Sequence, residues 1–312
     1  MTNDRLTVAV LGPGGVGGLL AALLARAGHR VICLAGEDTA RALAADGIEV
    51  RSGLFGNFTA RVSADTELRE PVDALLVSVK ATSLGAALER VPAKVLGEEA
   101  LVVPFLNGVE HPALLRERYR PEQVSPAVIR VESTRVAPGV IEHGSPFAEV
   151  DLTAETASRP RVDALAAALE EAGVRVRVED EEAPALWAKM SFLAPFALLT
   201  TRYGLPLGDV RTLHREELTA LVEETAAVSS ASGAPADPAA ALARYDAFPP
   251  GAKSSMQRDA ESGRALELDA IGGALLRAAE RAGVPVPVAA GLVRDLTPGS
   301  GTGTGGAAGT EG

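Results

Sequence analysis

Apolar residues in the first 180 positions come in short blocks whose period keeps switching between two and about 3.6 residues, the repeats of strand and helix. "LTVAVL" (6–11) reads as a buried strand, and residues 16–27 form an apolar helix closed by Gly28. "HRVICLA" is a second strand, which completes a βαβ unit. "IEVRS" and "FTARVSA" flank "GLFGN" and predict a hairpin or a pair of short strands. "VDALLVSVK" (72–80) and "ALVVPFL" (100–106) are nearly continuous apolar runs, as in strands buried on both faces of a parallel sheet, with a helical segment near 82–90 between them. Residues 124–152 hold short β-like runs, including "GVIEHG" and "FAEVDL". A helix at 160–172 and the strand "VRVRV" (174–178) follow. Such alternation predicts a doubly wound, Rossmann-type α/β domain over residues 1–180.

The pattern changes after "EDEEAP" (179–184). From 185 to 295 long Ala- and Leu-rich helical stretches are separated by Gly and Pro, with no convincing alternating strand. An all-α C-terminal domain is expected over 181–297. Residues 298–312 are rich in Gly and Thr and too poor in apolar side chains to offset chain entropy, so a disordered tail is expected there.

Charge narrows the class of partner. The formal net charge is −11, with no block of five basic residues, which argues against nucleic acid and against an anionic membrane surface. Cys33 is the single cysteine, so no intramolecular disulfide can form, and its setting in "VICL" suits a core filler. The first apolar run is broken by "GPGG" and does not read as a signal peptide. No 18 consecutive residues are apolar, so no membrane span is expected and the chain reads as cytoplasmic.

Gly12, Gly14 and Gly17 satisfy G-x-G-x-x-G directly after a strand and at the opening of a helix. The first glycine permits the tight turn, the second a close approach of backbone to a pyrophosphate, and the third close helix–strand packing. The run Gly12, Pro13, Gly14, Gly15, Val16 and Gly17 is therefore a candidate dinucleotide-phosphate cradle at a helix N-terminus. At the end of the second strand an acid would suit the ribose of NAD and an arginine the 2′-phosphate of NADP. The chain offers Gly36, Glu37 and Asp38 there, with Arg41 one turn on, and both cofactors stay open.

Lys80 and Asn107 end the next two strands, where open α/β sheets bind ligands, although a solvated lysine and a plain Asn-Gly turn would look the same. Lys189 is a sharper signal. Its helical neighbours Ala185, Leu186, Phe192 and Leu193 are all apolar, so the ammonium either snorkels out or is held for proton transfer. Pro195 in the same run should kink the helix and free the carbonyl of Ser191. Ser254 and Gln257 fit a capping box, and Ser255 would lie in the first turn of that helix. Glu267 stands three residues from Arg264, the spacing of an ordinary surface ion pair. The histidines at 29, 111, 143 and 214 show no metal-ligand spacing, and no metal site is expected.

Together "GPGGVG", "VSVK", "LNGV", "PGVIEHG", "LWAK", "SSMQRDAESGRALELD" and "AGVPVP" resemble the ketopantoate reductase (2-dehydropantoate 2-reductase) family over residues 6–296. The resemblance implies reduction of a 2-oxo acid by hydride from NADPH between a Rossmann domain and a helical domain. By position it implies that Gly12 to Gly17 hold the pyrophosphate and that Lys80 and Asn107 contact the cofactor. It further implies that Lys189 is the proton donor, that Ser255 binds substrate, and that Glu267 orders the cofactor ribose and the surroundings of Lys189. The implied partner is a small-molecule carbonyl compound, with a homodimer left open.

Four positions depart from that pattern. Amide side chains usual in relatives are replaced by Leu193, Ala197 and Leu207, and the arginine expected at the second strand end is replaced by Gly36. The first three favour a more apolar ketone or imine substrate, or a non-catalytic NAD(P)-binding sensor. The fourth makes NAD an alternative to NADP.

Overall fold

β1 (Thr7–Leu11) is buried almost throughout and turns at Gly12 into α1 (Gly15–Arg26), in a computed structural model that describes residues 5–298. Gly28, at φ +94°, closes α1, and the His29 N–H returns to the Leu24 carbonyl at 3.0 Å. There follow β2 (Arg30–Leu34), α2 (Glu37–Asp46), β3 (Ile48–Ser52), β4 (Phe58–Ala60), β5 (Ser63–Asp65) and β6 (Ala74–Val77). Next come α3 (Leu84–Leu88), α4 (Ala93–Leu96), β7 (Leu101–Pro104) and α5 (His111–Arg116). Five of these strands form one parallel sheet in the order β5-β2-β1-β6-β7. Its direction of winding reverses between β1 and β6, where an open α/β sheet leaves a crevice at the strand ends.

Alternation along β1 sorts its side chains between two cores. Val8 and Val10 pack with Leu19, Leu20, Leu23 and Leu24 of α1, while Ala9 and Leu11 pack with Leu84, Leu88 and Leu115. Burial on both faces explains why these strands read as unbroken apolar runs.

The rest of this half does not extend that sheet. β8 (Ala127–Arg130), β9 (Ser133–Ala137), β10 (Val140–His143), β11 (Glu149–Thr153), α6 (Arg159–Glu171) and β12 (Arg175–Glu179) complete it. They build a four-stranded sheet β4-β3-β10-β9 and a three-stranded sheet β12-β11-β8. "FTARVSA", read as one strand, is divided. β4 pairs antiparallel with β3, and β5 pairs parallel with β2. α1 lies between the first two sheets, and every residue from Gly17 to Leu24 is buried, the condition of a helix apolar on all sides.

α7 (Glu182–Tyr203) carries Pro195 inside it and continues helical past it. It is also long and apolar enough to cross a membrane by length and composition, although no 18 consecutive residues are apolar. Most of that stretch is buried inside the protein, as in a core helix. The chain divides into two compact units, one up to Met190 and one from Ser191 onward. The second is helical: α8 (Leu207–Leu213), α9 (Arg215–Ala231), α10 (Pro238–Ala247), α11 (Ser255–Glu261), α12 (Ala274–Ala282) and α13 (Pro287–Leu296). A π-helical turn, 269–273, precedes α12. The Glu224 carboxylate of α9 accepts the N–H groups of Val288 and Ala289, at 2.8 and 2.9 Å, and so caps α13. The tail expected at 298–312 lies, beyond Pro298, outside the described residues.

Candidate active site

The glycine run has a division of labour set by what surrounds each Cα. Gly12 stands at φ +85°, and a Cβ there would lie 2.5 Å from a Val79 methyl. At Gly17 a Cβ would come 2.1 Å from the Ser78 hydroxyl and 2.5 Å from the Gly12 carbonyl. Gly15 and Gly18 meet the second sheet, at the Ser133 carbonyl and the Ile141 side chain. Gly14 alone of these faces open space, with only the Gly12 carbonyl within 4 Å. It is the N-cap of α1, and no side chain caps that helix. The positive end of the α1 dipole and an uncrowded backbone therefore meet at Gly14, a fit for an anionic pyrophosphate. Ser78, just past β6, donates its hydroxyl to the Gly12 carbonyl at 2.9 Å and fixes the turn from the side.

The neighbouring strand ends carry the other candidates of this unit. In the order β2-β1-β6-β7, the carboxyl ends lead into Gly36–Asp38, Gly12–Gly17, Ser78–Lys80 and Asn107. Three interstrand steps cover about 14 Å along this edge. Lys80 is exposed and starts a 3₁₀ turn, and its carbonyl accepts the Ser83 N–H at 2.9 Å. Asn107 is half-buried and precedes Gly108, which turns at φ +91° toward α5. At the far end Gly36 is exposed at the N-cap of α2, with no atom within 4 Å of a Cβ placed on it. Asp38 there pairs with Arg41 at 3.0 Å in full exposure, a bond of small energetic worth. Cys33, behind this edge in β2, is buried, and desolvation pushes its thiol up to about 12, so it is inert filler.

Lys189 is half-buried on α7. His111, the first residue of α5, lies within its electrostatic reach and is fully enclosed. Burial first, and the Lys189 charge second, push the His111 imidazole down to about 3, so it is neutral at physiological pH. A hydrogen bond with the Gly108 backbone pulls the other way and does not offset the burial. Sequence reading set His111 aside with the other histidines. The one hint was its place, four residues after Asn107 and before the Pro112 that opens a helix.

In the second unit Ser254 is the buried N-cap of α11, accepting the Gln257 N–H at 3.0 Å and bonding the Thr200 hydroxyl at 2.8 Å. The return arm of the expected capping box is missing, because the Gln257 amide turns to Glu261 at 3.0 Å. Ser255 is exposed at the first position of α11. Glu267 is buried just ahead of the π-helical turn. Arg264 bonds Asp259 at 2.8 Å. Leu207 and Ala197 are buried and Leu193 half-buried. Phe192, Phe196, Tyr245 and Phe248 form an aromatic cluster, with Phe192 stacked on Tyr245 at 4.5 Å.

Comparison with known proteins places this arrangement. Residues 8–153 match the family model described as ketopantoate reductase PanE/ApbA, and residues 183–297 match its C-terminal model. The 2-dehydropantoate 2-reductase of Caulobacter vibrioides is 30% identical over 295 residues, covering 92% of this chain and 97% of that protein. A PanE/ApbA family ketopantoate reductase of known structure from Ralstonia eutropha JMP134 is 30% identical, with a TM-score of 0.83 over 92% of this chain and 96% of that one. A D-mandelate dehydrogenase, solved with NADH and anilino(oxo)acetate, shares the fold at a TM-score of 0.84 and 19% identity, over 93% of this chain and 96% of that one. The chain belongs to the ketopantoate reductase family of oxidoreductases acting on CH–OH groups.

Proposed function

We propose that this chain reduces a 2-oxo acid, 2-dehydropantoate in the first reading, with Lys189 as the proton donor. The row of Gly12–Gly17, Lys80 and Asn107 along adjacent strand ends carries the reading, and the family relationship supports it. A nicotinamide cofactor, when bound, supplies the hydride. Gly12 to Gly17 hold its pyrophosphate against backbone N–H groups at the α1 terminus. Lys80 and Asn107 contact it at the next two strand ends, and Glu267 orders its ribose. Ser255 binds the substrate. As the carbonyl carbon gains hydride its oxygen becomes an alkoxide, and the Lys189 ammonium first stabilises that charge and then neutralises it. NADPH is the cofactor the family supports. The open Gly36 beside Glu37 and Asp38 supports NADH as the alternative.

A second reading keeps the chemistry and changes the substrate. Leu193, Ala197 and Leu207 offer no hydrogen bond, and the Phe192 cluster offers aromatic surface. A bulkier, more apolar 2-oxo acid suits such side chains.

The deciding experiment follows NADPH and NADH oxidation with 2-dehydropantoate and phenylglyoxylate, in wild type and Lys189→Ala. The variant should lose about 10²- to 10⁴-fold in kcat while binding cofactor as before. Undiminished turnover in Lys189→Ala ends the mechanism, and a higher kcat/KM for phenylglyoxylate selects the second reading.

A further inference from the structure

We propose that Arg90 decides which dinucleotide this chain takes, its guanidinium supplying at the end of β2 the positive charge for a 2′-phosphate that Gly36 does not. This deepens the reading of Gly12–Gly17 as a dinucleotide cradle and rests on it.

Three observations carry the assignment. The first is where the guanidinium lies. β2 and β5 pair in parallel as far as Leu34 and Asp65, and the Ala35 N–H then reaches the Asp65 carbonyl at 3.0 Å. One step further on, a side chain closes the ladder. Arg90 Nη1 donates to the Ala35 carbonyl at 3.0 Å and to the Thr66 carbonyl at 2.8 Å. Ala35 directly precedes Gly36, at the strand end where an arginine nearby accommodates the 2′-phosphate of NADP. Gly36 itself leaves room there, with no atom within 4 Å of a Cβ placed on it.

The second is how Arg90 is held. It stands two residues past α3, half-buried, between the buried side chains of Leu88 and Val91. Its N–H bonds the Ala87 carbonyl at 3.0 Å, and its own carbonyl accepts the Leu68 N–H at 2.8 Å. The side chain therefore reaches the end of β2 from a fixed backbone. A guanidinium carries five N–H donors in a planar fork that suits phosphate oxygens, and both bonds to carbonyls leave from Nη1.

The third is the charge of its surroundings. The carbonyls of Ala35 and Thr66 are neutral, so they orient the cation without cancelling it. Acids at this edge are engaged elsewhere. Asp65 accepts Arg69 Nε at 2.8 Å and the Thr66 N–H at 2.6 Å, and Asp38 pairs with Arg41 at 3.0 Å. Glu37, exposed in the first turn of α2, is the acid that would suit the bare ribose of NAD. A half-buried charge is screened less than an exposed one, and on that ground Arg90 outweighs Glu37.

The test uses 2′,5′-ADP and 5′-AMP, which differ only by the 2′-phosphate. By isothermal titration calorimetry the wild type should bind the first about tenfold more tightly than the second. Arg90→Met should abolish that preference while leaving the affinity for 5′-AMP unchanged, and should lower NADPH affinity relative to NADH by the same factor. A residue that only closed the ladder between β2 and β5 would weaken both probes alike. Should Arg90→Met fail to fold, the Arg90 Nε–H signal of the ¹⁵N-labelled wild type carries the test. It should shift with 2′,5′-ADP and hold still with 5′-AMP. A wild type without the preference, a folded Arg90→Met that keeps it or loses both probes equally, or a signal that treats the probes alike overturns the assignment. A wild type that binds neither NADPH nor NADH would instead overturn the cradle reading beneath it.

Discussion

Gly17 lies directly against Ser78: a side chain on the first would come within 2.1 Å of the hydroxyl of the second. Ser78 is itself held by the Gly12 carbonyl and does not give way cheaply. Gly17→Ala should therefore cost about 1–3 kcal/mol of stability. Gly14→Ala, at a site with room and ordinary backbone angles, should stay within about 0.5 kcal/mol of wild type. Its loss should appear in cofactor affinity, about tenfold. Urea unfolding and fluorescence titration of both variants check this. Equal stability losses would refute the division of labour.

The two serines at α11 separate in the same way. Ser254→Ala removes the cap on Gln257 and the bond to Thr200, at a cost of about 1–2 kcal/mol. Ser255→Ala, at an exposed position, should change stability by less than about 0.5 kcal/mol and raise KM for the oxo acid. A Ser255 variant with unchanged KM would remove Ser255 from the substrate site.

Gly36 is the natural place to alter cofactor choice. Nothing crowds it, so Gly36→Arg should fold normally and bring a guanidinium to the end of β2. Affinity for NADPH relative to NADH should rise about tenfold, measured as the ratio of dissociation constants. An unmoved ratio would mean that the ribose lies elsewhere.

Burial makes the first unit sensitive to acid. His111 has its folded-state value near 3 against 6.5 when unfolded, so the unfolded chain takes up the proton first as pH falls. Stability is complete above about 6.5 and declines by about 1.4 kcal/mol per pH unit toward 3. His29, also held low chiefly by burial, adds to the same trend. Denaturation midpoints between pH 7 and 4 should fall more steeply for wild type than for His111→Gln. Parallel slopes would contradict this.

The βαβ opening and the helical second half were legible because period and punctuation are local properties. The distribution of later strands among three sheets was not. β5 joins the first sheet and β4 the second although two residues separate them, and strand partners are set by distant packing. The spacing of Ser254 and Gln257 announced a cap, but not that the Gln257 amide would turn to Glu261. His111 stayed hidden because nothing in a single polar letter after "NGVE" tells that the imidazole will be buried.

The crowding around α1 bears on how this protein can drift. A selection that asked only for folded chains, with no cofactor in the medium, would still reject side chains at Gly12, Gly15, Gly17 and Gly18, each pressed on a strand, a hydroxyl or the second sheet. Only Gly14 would wander. Invariance along this run would therefore record architecture at four sites and ligand at one, and a descendant that had lost its cofactor would go on carrying most of the fingerprint.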